Sequence, residues 1–113
     1  MHELSLMEAL RDLALQQAEA EGAVRIAVMT LRVGSLAGVE IEALRFAFAA
    51  VMADTIAAAA VLRIEVVPAV CRCGGCGRRF AALDGVCECP SCGAISRELL
   101  QGRELQLTSL EIA

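Results

Sequence analysis

The fold of this chain is decided by a cysteine-rich stretch that reads Cys73-Gly74-Gly75-Cys76-Gly77 and then, after residues 78–88, Cys89-Pro90-Ser91-Cys92-Gly93. Two Cys-x-x-Cys pairs at this distance predict one tetrahedral metal site that uses every cysteine of both pairs. The glycine after each pair suits a tight turn that directs backbone N–H groups toward the thiolates. A closed shell of thiolates favours zinc in a structural role over a catalytic one. We therefore expect a structural Zn(II) site whose ligands are Cys73, Cys76, Cys89 and Cys92.

Iron is the alternative metal, because rubredoxin-type sites use similar cysteine pairs. Those small domains rely on aromatic cores, however, and this chain has no Trp or Tyr. Two further cysteines, Cys71 and Cys87, each precede a pair by two residues. They are open to three roles: replacement of a metal ligand, a dithiol, or small buried apolar side chains, of which the last is the default. A framework of three disulfides is not expected, because paired Cys-x-x-Cys spacing without a signal peptide indicates metal binding in an intracellular, cytoplasmic protein.

The histidine content of the chain is limited to His2, which follows Met1 directly and precedes Glu3. Histidine is the commonest metal ligand in proteins. The α-amine of Met1, the amide nitrogen of His2 and the His2 imidazole can close adjacent chelate rings. Such a planar set of nitrogen donors suits Ni(II) or Cu(II) better than Zn(II). The alternative is that a short N-terminal motif of this kind carries no function.

Composition excludes several classes of function. The formal net charge is −4 and aromatic residues make up 3% of the chain, which disfavours nucleic acid as a partner. Residues 46–62 form an apolar stretch, but it is short and has Asp54 near its centre, so a buried helix is expected there and no membrane span. No glycine-rich phosphate loop and no nucleophile with a neighbouring base is visible, so the chain is not expected to be an enzyme.

Two helices are predicted. The first begins with Ser5 as N-cap in a capping box with Glu8, places Leu6, Leu10, Leu13 and Ala14 on its inner face, and ends at Gly22. The second begins at about Glu40.

Three strands are predicted, over residues 24–33, 62–66 and 105–112. Pro68 ends the second strand or places it at an edge, and a phase slip in the third suggests a bulge. The third strand has no core of its own, so we expect it to pair with the first two. The expected fold is α+β: a small β-sheet with two helices from residues 1–70 plus 101–113, with an inserted zinc-ribbon-like module at residues 71–100. No internal repeat is visible.

Four features of the sequence taken together are similar to one known family. They are Met1-His2-Glu3 leading into a helix, the cysteine pairs, Gly102-Arg103-Glu104-Leu105, and Ser109-Leu110-Glu111-Ile112. In this combination the chain resembles the HypA/HybF hydrogenase maturation factors over essentially its whole length.

The resemblance implies a nickel metallochaperone that assists insertion of nickel into the large subunit of [NiFe]-hydrogenase. Nickel would be transient cargo, bound by His2, by the amine of Met1 and by the backbone nitrogen of Glu3, within a nickel-binding α/β domain at residues 1–70 plus 101–113. Glu40 matches a position where some relatives carry an acidic residue near nickel. The implied partners are a HypB-like GTPase, the hydrogenase large-subunit precursor and urease maturation proteins, and a homodimer remains open. The alternative is a zinc-ribbon protein-interaction module without nickel function.

Overall fold

The computed structural model describes residues 2–82 and 86–113. In these ranges the chain forms two helices and two three-stranded sheets, with the strand orders β2-β1-β6 and β4-β3-β5. The α+β class predicted from the sequence is therefore confirmed. The elements are α1 (His2–Ala20), β1 (Ile26–Gly34), α2 (Ile41–Met52), β2 (Val61–Val67), β3 (Val70–Arg72), β4 (Arg79–Ala81), β5 (Glu98–Gln101) and β6 (Leu105–Ile112).

The first helix begins earlier than the sequence predicted. The helix α1 starts at His2, so Ser5 lies inside it and the prediction of Ser5 as N-cap is wrong. A capping box is a local signal, and here a tertiary contact overrides it. The carboxylate of Glu3 accepts a hydrogen bond from the backbone N–H of Glu40 at 3.2 Å. An acidic residue in the first turn also complements the helix dipole. The histidine is thus part of the helix itself.

The end of α1 matches the predicted stop at Gly22. This glycine has a left-handed φ of 69°. Its N–H donates to the carbonyl of Glu19 at 3.0 Å, and the N–H of Ala23 donates to the carbonyl of Ala18 at 2.9 Å. These two bonds form a Schellman motif, which satisfies the carbonyls left without partners in the last helical turn.

The two helices pack against each other and bury one apolar face each. Leu13 was predicted on the inner face of α1 but is 43% exposed. The buried stripe passes through the next residue, and successive residues of a helix point about 100° apart. Leu13 therefore lies beside the stripe. The buried side chains of α1 are Met7, Leu10, Ala14 and Ala18, and those of α2 are Leu44, Ala47, Phe48, Val51 and Met52.

The apolar stretch at residues 46–62 does not form one buried helix as predicted. The helix α2 ends at Met52, because the following Ala53 has an extended ψ of 138°, and Asp54 then adopts a left-handed φ of 63°. The hydroxyl of Thr55 donates to the carbonyl of Met52 at 2.7 Å and accepts from the N–H of Ala57 at 3.1 Å, so the turn has its own hydrogen bonds. Among the described residues, no helix is long and apolar enough to cross a membrane.

The last strand returns to the sheet of the first two strands, as predicted, but it pairs with β1 only, because β2 occupies the other side of β1. The two chain segments meet at Arg25 and Ala113, where the N–H of Ala113 donates to the carbonyl of Arg25 at 2.9 Å. The strand β2 lies at the edge of the sheet and ends before Pro68, as predicted. Burial along β6 changes phase between Leu107 and Leu110, while the bulge suggested for this strand stays a prediction.

The chain divides into two compact units. The first comprises Met1–Leu31, Val39–Glu65 and Gln106–Ala113, and it includes both helices. The second comprises Arg32–Gly38 and Val66–Leu105, and it includes the sheet β4-β3-β5 with the cysteine pairs. The domain boundaries drawn from the sequence stay a prediction.

Candidate metal centres

The four cysteines of the two pairs converge in the second unit. Their sulfur atoms all lie within 4.8 Å of one another. The Sγ atoms of Cys73 and Cys92 are 3.4 Å apart, and those of Cys76 and Cys89 are 3.7 Å apart. Zinc–sulfur bonds of about 2.3 Å in a tetrahedron place neighbouring sulfurs about 3.8 Å apart. The arrangement therefore has the size and donor chemistry of a tetrahedral zinc site.

The two pairs are built by the same backbone hydrogen bonds. In the first, the N–H of Cys73 donates to the carbonyl of Arg78 at 2.8 Å, and the N–H of Gly77 donates to the carbonyl of Cys73 at 2.9 Å. In the second, the N–H groups of Cys89 and Gly93 make the equivalent bonds, each at 2.8 Å. Gly77 and Gly93 have left-handed φ angles of 76° and 74°. This conformation explains why glycine follows each pair.

The two segments are also equivalent at Cys71 and Cys87, so together they form a short internal repeat. Residues 71–77 and 87–93 both read Cys-x-Cys-x-x-Cys-Gly. No repeat was predicted from the sequence, because the pattern is only seven residues long. Comparing the identical spacing of the three cysteines in each segment would have revealed it.

Backbone N–H groups prepare the buried cysteines for metal binding. The N–H of Cys76, followed by the thiol of Cys92, lowers the pKa of Cys73 to about 6. The N–H of Cys92 is the largest cause of the lowered pKa of Cys89. Metals bind the thiolate form, so Cys73 and Cys89 need the least proton release for coordination at neutral pH. The backbone N–H groups of Arg78 and Ala94 are outweighed by the hydrogen bonds of Cys76 and Cys92 with Cys73 and Cys89, so the pKa of Cys76 is raised and that of Cys92 is raised to about 11.

The sheet β4-β3-β5 forms the scaffold beneath the cysteines. The buried Ser96 connects its strands, because its hydroxyl donates to the carbonyl of Arg72 and accepts from the N–H of Glu98 at 3.1 Å. The guanidinium of Arg72 forms an ion pair with Glu98 at 3.7 Å. At the surface, the guanidinium of Arg78 donates to the hydroxyl of Ser91 and so joins the two cysteine pairs.

The two remaining cysteines are bonded to each other. Cys71 and Cys87 form a disulfide with a Cα–Cα distance of 6.1 Å. The default interpretation of these residues as separate apolar side chains is therefore wrong, and the general exclusion of disulfides was too broad. The physical reason is the repeat: two segments that bring equivalent cysteines to one metal also bring their preceding cysteines together. The four cysteines of the metal site are free of disulfides.

The nickel residues predicted from the sequence belong to the first unit. Met1 lies outside the described residues. His2 is exposed and begins α1. The carboxylate of Glu3 has a lowered pKa, caused first by its own backbone N–H and then by the N–H of Glu40. Through that contact the beginning of α1 lies at the beginning of α2, so His2 and Glu3 are brought close to Glu40.

Backbone nitrogens at this position are suited to a metal. The first N–H groups of an α-helix have no carbonyl partner within the helix. The N–H groups of His2 and Glu3 are of this kind, so a metal that displaces their protons breaks no helical hydrogen bond. Sequence reasoning missed the Glu3–Glu40 hydrogen bond, because nothing local in the sequence indicates a contact between residues so far apart.

The chain is similar to known proteins over nearly its whole length. A family model described as "Hydrogenase/urease nickel incorporation, metallochaperone, hypA" matches residues 1–112. The hydrogenase maturation factor HypA of Synechococcus elongatus is 51% identical over 112 residues, covering 99% of this chain and 99% of the relative. The hydrogenase maturation factor HybF of Klebsiella pneumoniae is 39% identical over 111 residues, covering 98% of each chain.

A solved structure has the same fold. The solution structure of the Ni metallochaperone HypA from Helicobacter pylori matches with a TM-score of 0.69 and 25% sequence identity, covering 97% of this chain and 96% of that one. Together with the whole-length family match, this likeness assigns the chain to a class of metal-delivery proteins and not to an enzyme class. The chain belongs to the HypA/HybF family of hydrogenase maturation factors, which are nickel-incorporation metallochaperones.

Proposed function

We propose that this chain binds Ni(II) at its N-terminus and assists its insertion into the large subunit of [NiFe]-hydrogenase. The observation that carries the proposal is the hydrogen bond from the N–H of Glu40 to the carboxylate of Glu3. It holds the start of α1, with the exposed His2, beside the start of α2. Family membership supports nickel as the metal handled.

The nickel donors in this proposal are the imidazole of His2, the amine of Met1 and the backbone nitrogens of His2 and Glu3. Nitrogen donors of this kind favour the planar coordination that Ni(II) accepts and Zn(II) does not prefer. The carboxylate of Glu40 is exposed near this tip and adds an oxygen donor or a negative charge. A site at a chain terminus is open on one side, so a recipient protein can replace its donors one after another.

The four-thiolate site is proposed to hold Zn(II) in a structural role. Its support is the sulfur geometry and the completeness of the shell, which leaves no position for a reactant. Zinc would stabilise the module at residues 71–100, and nickel would bind in the domain at residues 1–70 plus 101–113. Metal binding in small modules of this kind contributes directly to folding free energy.

The partners proposed are a HypB-like GTPase, the hydrogenase large-subunit precursor and urease maturation proteins, in the cytoplasm. A homodimer is compatible with these roles. The family description, which refers to hydrogenase and urease nickel incorporation, supports both client enzymes.

The decisive experiment measures nickel and zinc per chain after equilibrium dialysis of untagged protein with a native Met1. Wild type should retain both metals, and His2→Ala should lose nickel while retaining zinc. Glu8→Ala is the matched control, because Glu8 is also an exposed side chain of α1 but lies away from the tip. Nickel binding that survives in His2→Ala would refute the N-terminal nickel site. Zinc without any nickel in wild type would leave the alternative, a zinc-ribbon protein-interaction module without nickel function.

A complementation experiment tests the same proposal in cells, in a strain that lacks its own maturation factor of this family. Wild type and Glu8→Ala should restore hydrogenase activity, and His2→Ala should not. Hydrogenase activity restored by His2→Ala without added nickel would show that the tip is not the delivery site.

A further inference from the structure

We propose that Cys71 and Cys87 form a redox modification site, a dithiol that a low-molecular-weight disulfide of the glutathione class oxidises reversibly beside the intact four-thiolate metal site. The two cysteines are joined in the structure, and the bond links residues 16 positions apart. It connects β3 to the segment that leads into the second cysteine pair. Nickel binding at the N-terminus does not enter this proposal.

The scaffold holds these two cysteines together through contacts other than the disulfide itself. Cys71 is the central residue of β3 and is paired with Phe80 on one side and Leu99 on the other. The carbonyl of Cys87 accepts a hydrogen bond from the N–H of Ser96 at 2.6 Å. The hydroxyl of Ser96 in turn donates to the carbonyl of Arg72, next to Cys71. The Cα–Cα distance of 6.1 Å lies in the usual range for disulfides.

The metal site does not need either cysteine. Four thiolates complete a tetrahedral zinc shell, and Cys73, Cys76, Cys89 and Cys92 supply them within a few ångströms of one another. Cys71 packs with Cys73 and Cys89 in one buried cluster, and Cys87 borders the same cluster. Oxidation of Cys71 and Cys87 therefore changes the immediate surroundings of the metal without removing a ligand.

The different exposure of Cys71 and Cys87 determines which of the two sulfurs reacts first. Cys71 is 0% exposed, while Cys87 is only half-buried. The Cys87 sulfur attacks one sulfur of the small disulfide, breaks its S–S bond and releases one small thiol. The Cys71 sulfur then attacks the mixed disulfide at Cys87 and releases the second small thiol. The two protons of the cysteines end on the two released thiols, the protein loses two electrons, and the small disulfide gains them.

Closure should keep the metal in place. The bond encloses the first cysteine pair and β4 in a covalent loop, so the segments that hold the metal cannot separate freely. Cross-links of this length restrict the opened chain far more than the folded one. A reversible disulfide is also the kind found in reducing compartments, where permanent ones are rare. We expect zinc loss to a chelator to be slower from the oxidised chain by at least about tenfold.

The test uses the full zinc-loaded chain, reduced with a phosphine and then treated with glutathione disulfide. Intact mass and peptide mapping should show the 71–87 bond with zinc still bound, and a thiol reductant should reverse it. Cys71→Val, which keeps the buried volume, should stop at a glutathione adduct on Cys87. Cys87→Ala should give no adduct, because the remaining sulfur is buried.

Three outcomes would overturn the proposal. The first is zinc loss or oxidation of the four metal-site cysteines before the 71–87 bond forms. The second is a second zinc ion bound by the reduced chain through Cys71 and Cys87, which would make them metal ligands. The third is an equal rate of zinc transfer to the chelator from the oxidised and reduced chains. The double variant Cys71→Val/Cys87→Ala is the control, and its rate should not depend on glutathione disulfide.

Discussion

The carboxylate of Glu3 accepts a hydrogen bond from the backbone N–H of Glu40 at 3.2 Å, and this contact joins the beginnings of the two helices. Glu40 is the N-cap of α2 but makes no capping hydrogen bond with its own side chain. Its N–H is satisfied by Glu3 instead, in the way that a glutamate of the same helix satisfies it in a capping box. The side chain of Glu40 is exposed.

Replacement of Glu3 tests whether this contact positions the nickel donors. Glu3→Ala removes the acceptor and should weaken nickel binding by roughly threefold to tenfold, the size expected for one hydrogen bond. Glu3→Gln keeps a carbonyl oxygen as acceptor and should retain most of the affinity. Calorimetric titration with Ni(II) measures both. Equal affinity in wild type and Glu3→Ala would show that the contact does not order the tip.

The pH dependence of the same contact follows from the lowered pKa of Glu3, whose ordinary value is 4.5. A carboxylate with a lowered pKa in the folded state contributes stability above its unfolded pKa, and this contribution is lost as the pH falls through the folded value. The amide resonance of Glu40 should therefore titrate with a midpoint below 4.5. In Glu3→Gln this titration should vanish. A midpoint at or above the ordinary value would mean that the hydrogen bond is absent in solution.

Removal of one metal-site cysteine should release zinc and unfold the cysteine module. Cys92→Ala leaves three thiolates for a metal that requires four ligands in structural sites. We expect loss of stoichiometric zinc and of protection from amide exchange in β3, β4 and β5, because metal binding supplies folding free energy. Glu88→Ala is the neighbouring control, because Glu88 is exposed and directly precedes Cys89, and it should retain zinc. Full zinc retention in Cys92→Ala would show that this thiolate is not a ligand.

Gly34, in the second unit, should not tolerate replacement by any residue with a side chain. A Cβ on Gly34 would collide with backbone atoms of Gly102 and Arg103, which cannot move aside as a flexible side chain can. Gly34→Ala should therefore lower the free energy of unfolding by about 2 kcal/mol or more. Gly74→Ala is the matched control, since a Cβ there meets nothing within 4 Å. Denaturant unfolding of both variants checks this, and equal midpoints would refute the close approach.

The same contact explains the motif Gly102-Arg103-Glu104-Leu105, which the sequence alone could only relate to a family. The N–H of Gly34 donates to the carbonyl of Glu104 at 2.7 Å, and the N–H of Leu36 donates to the carbonyl of Gly102 at 2.7 Å. The carboxylate of Glu104 accepts from the N–H of Gly102, also at 2.7 Å. Residues 102–105 therefore hold this part of the chain against residues 34–36, which is a structural role.

The features that the sequence determined by itself are those with short-range causes. The spacing of Cys73, Cys76, Cys89 and Cys92 predicted a common metal site, because two cysteines in one turn are already near each other. Gly22 predicted the end of α1, because only a residue that tolerates a left-handed φ closes a Schellman motif. The ligand roles of His2 and of the zinc cysteines remain predictions.

Tertiary structure alone decided the features whose causes lie far apart in the chain. The helix α1 starts at His2, where Glu3 accepts a hydrogen bond from the N–H of Glu40, 37 residues away. The repeat makes Cys71 and Cys87 equivalent positions, but their bond forms only because the fold brings residues 71–77 and 87–93 together. Local spacing specifies which residues can act together within a turn, whereas contacts between distant segments depend on how the whole core packs.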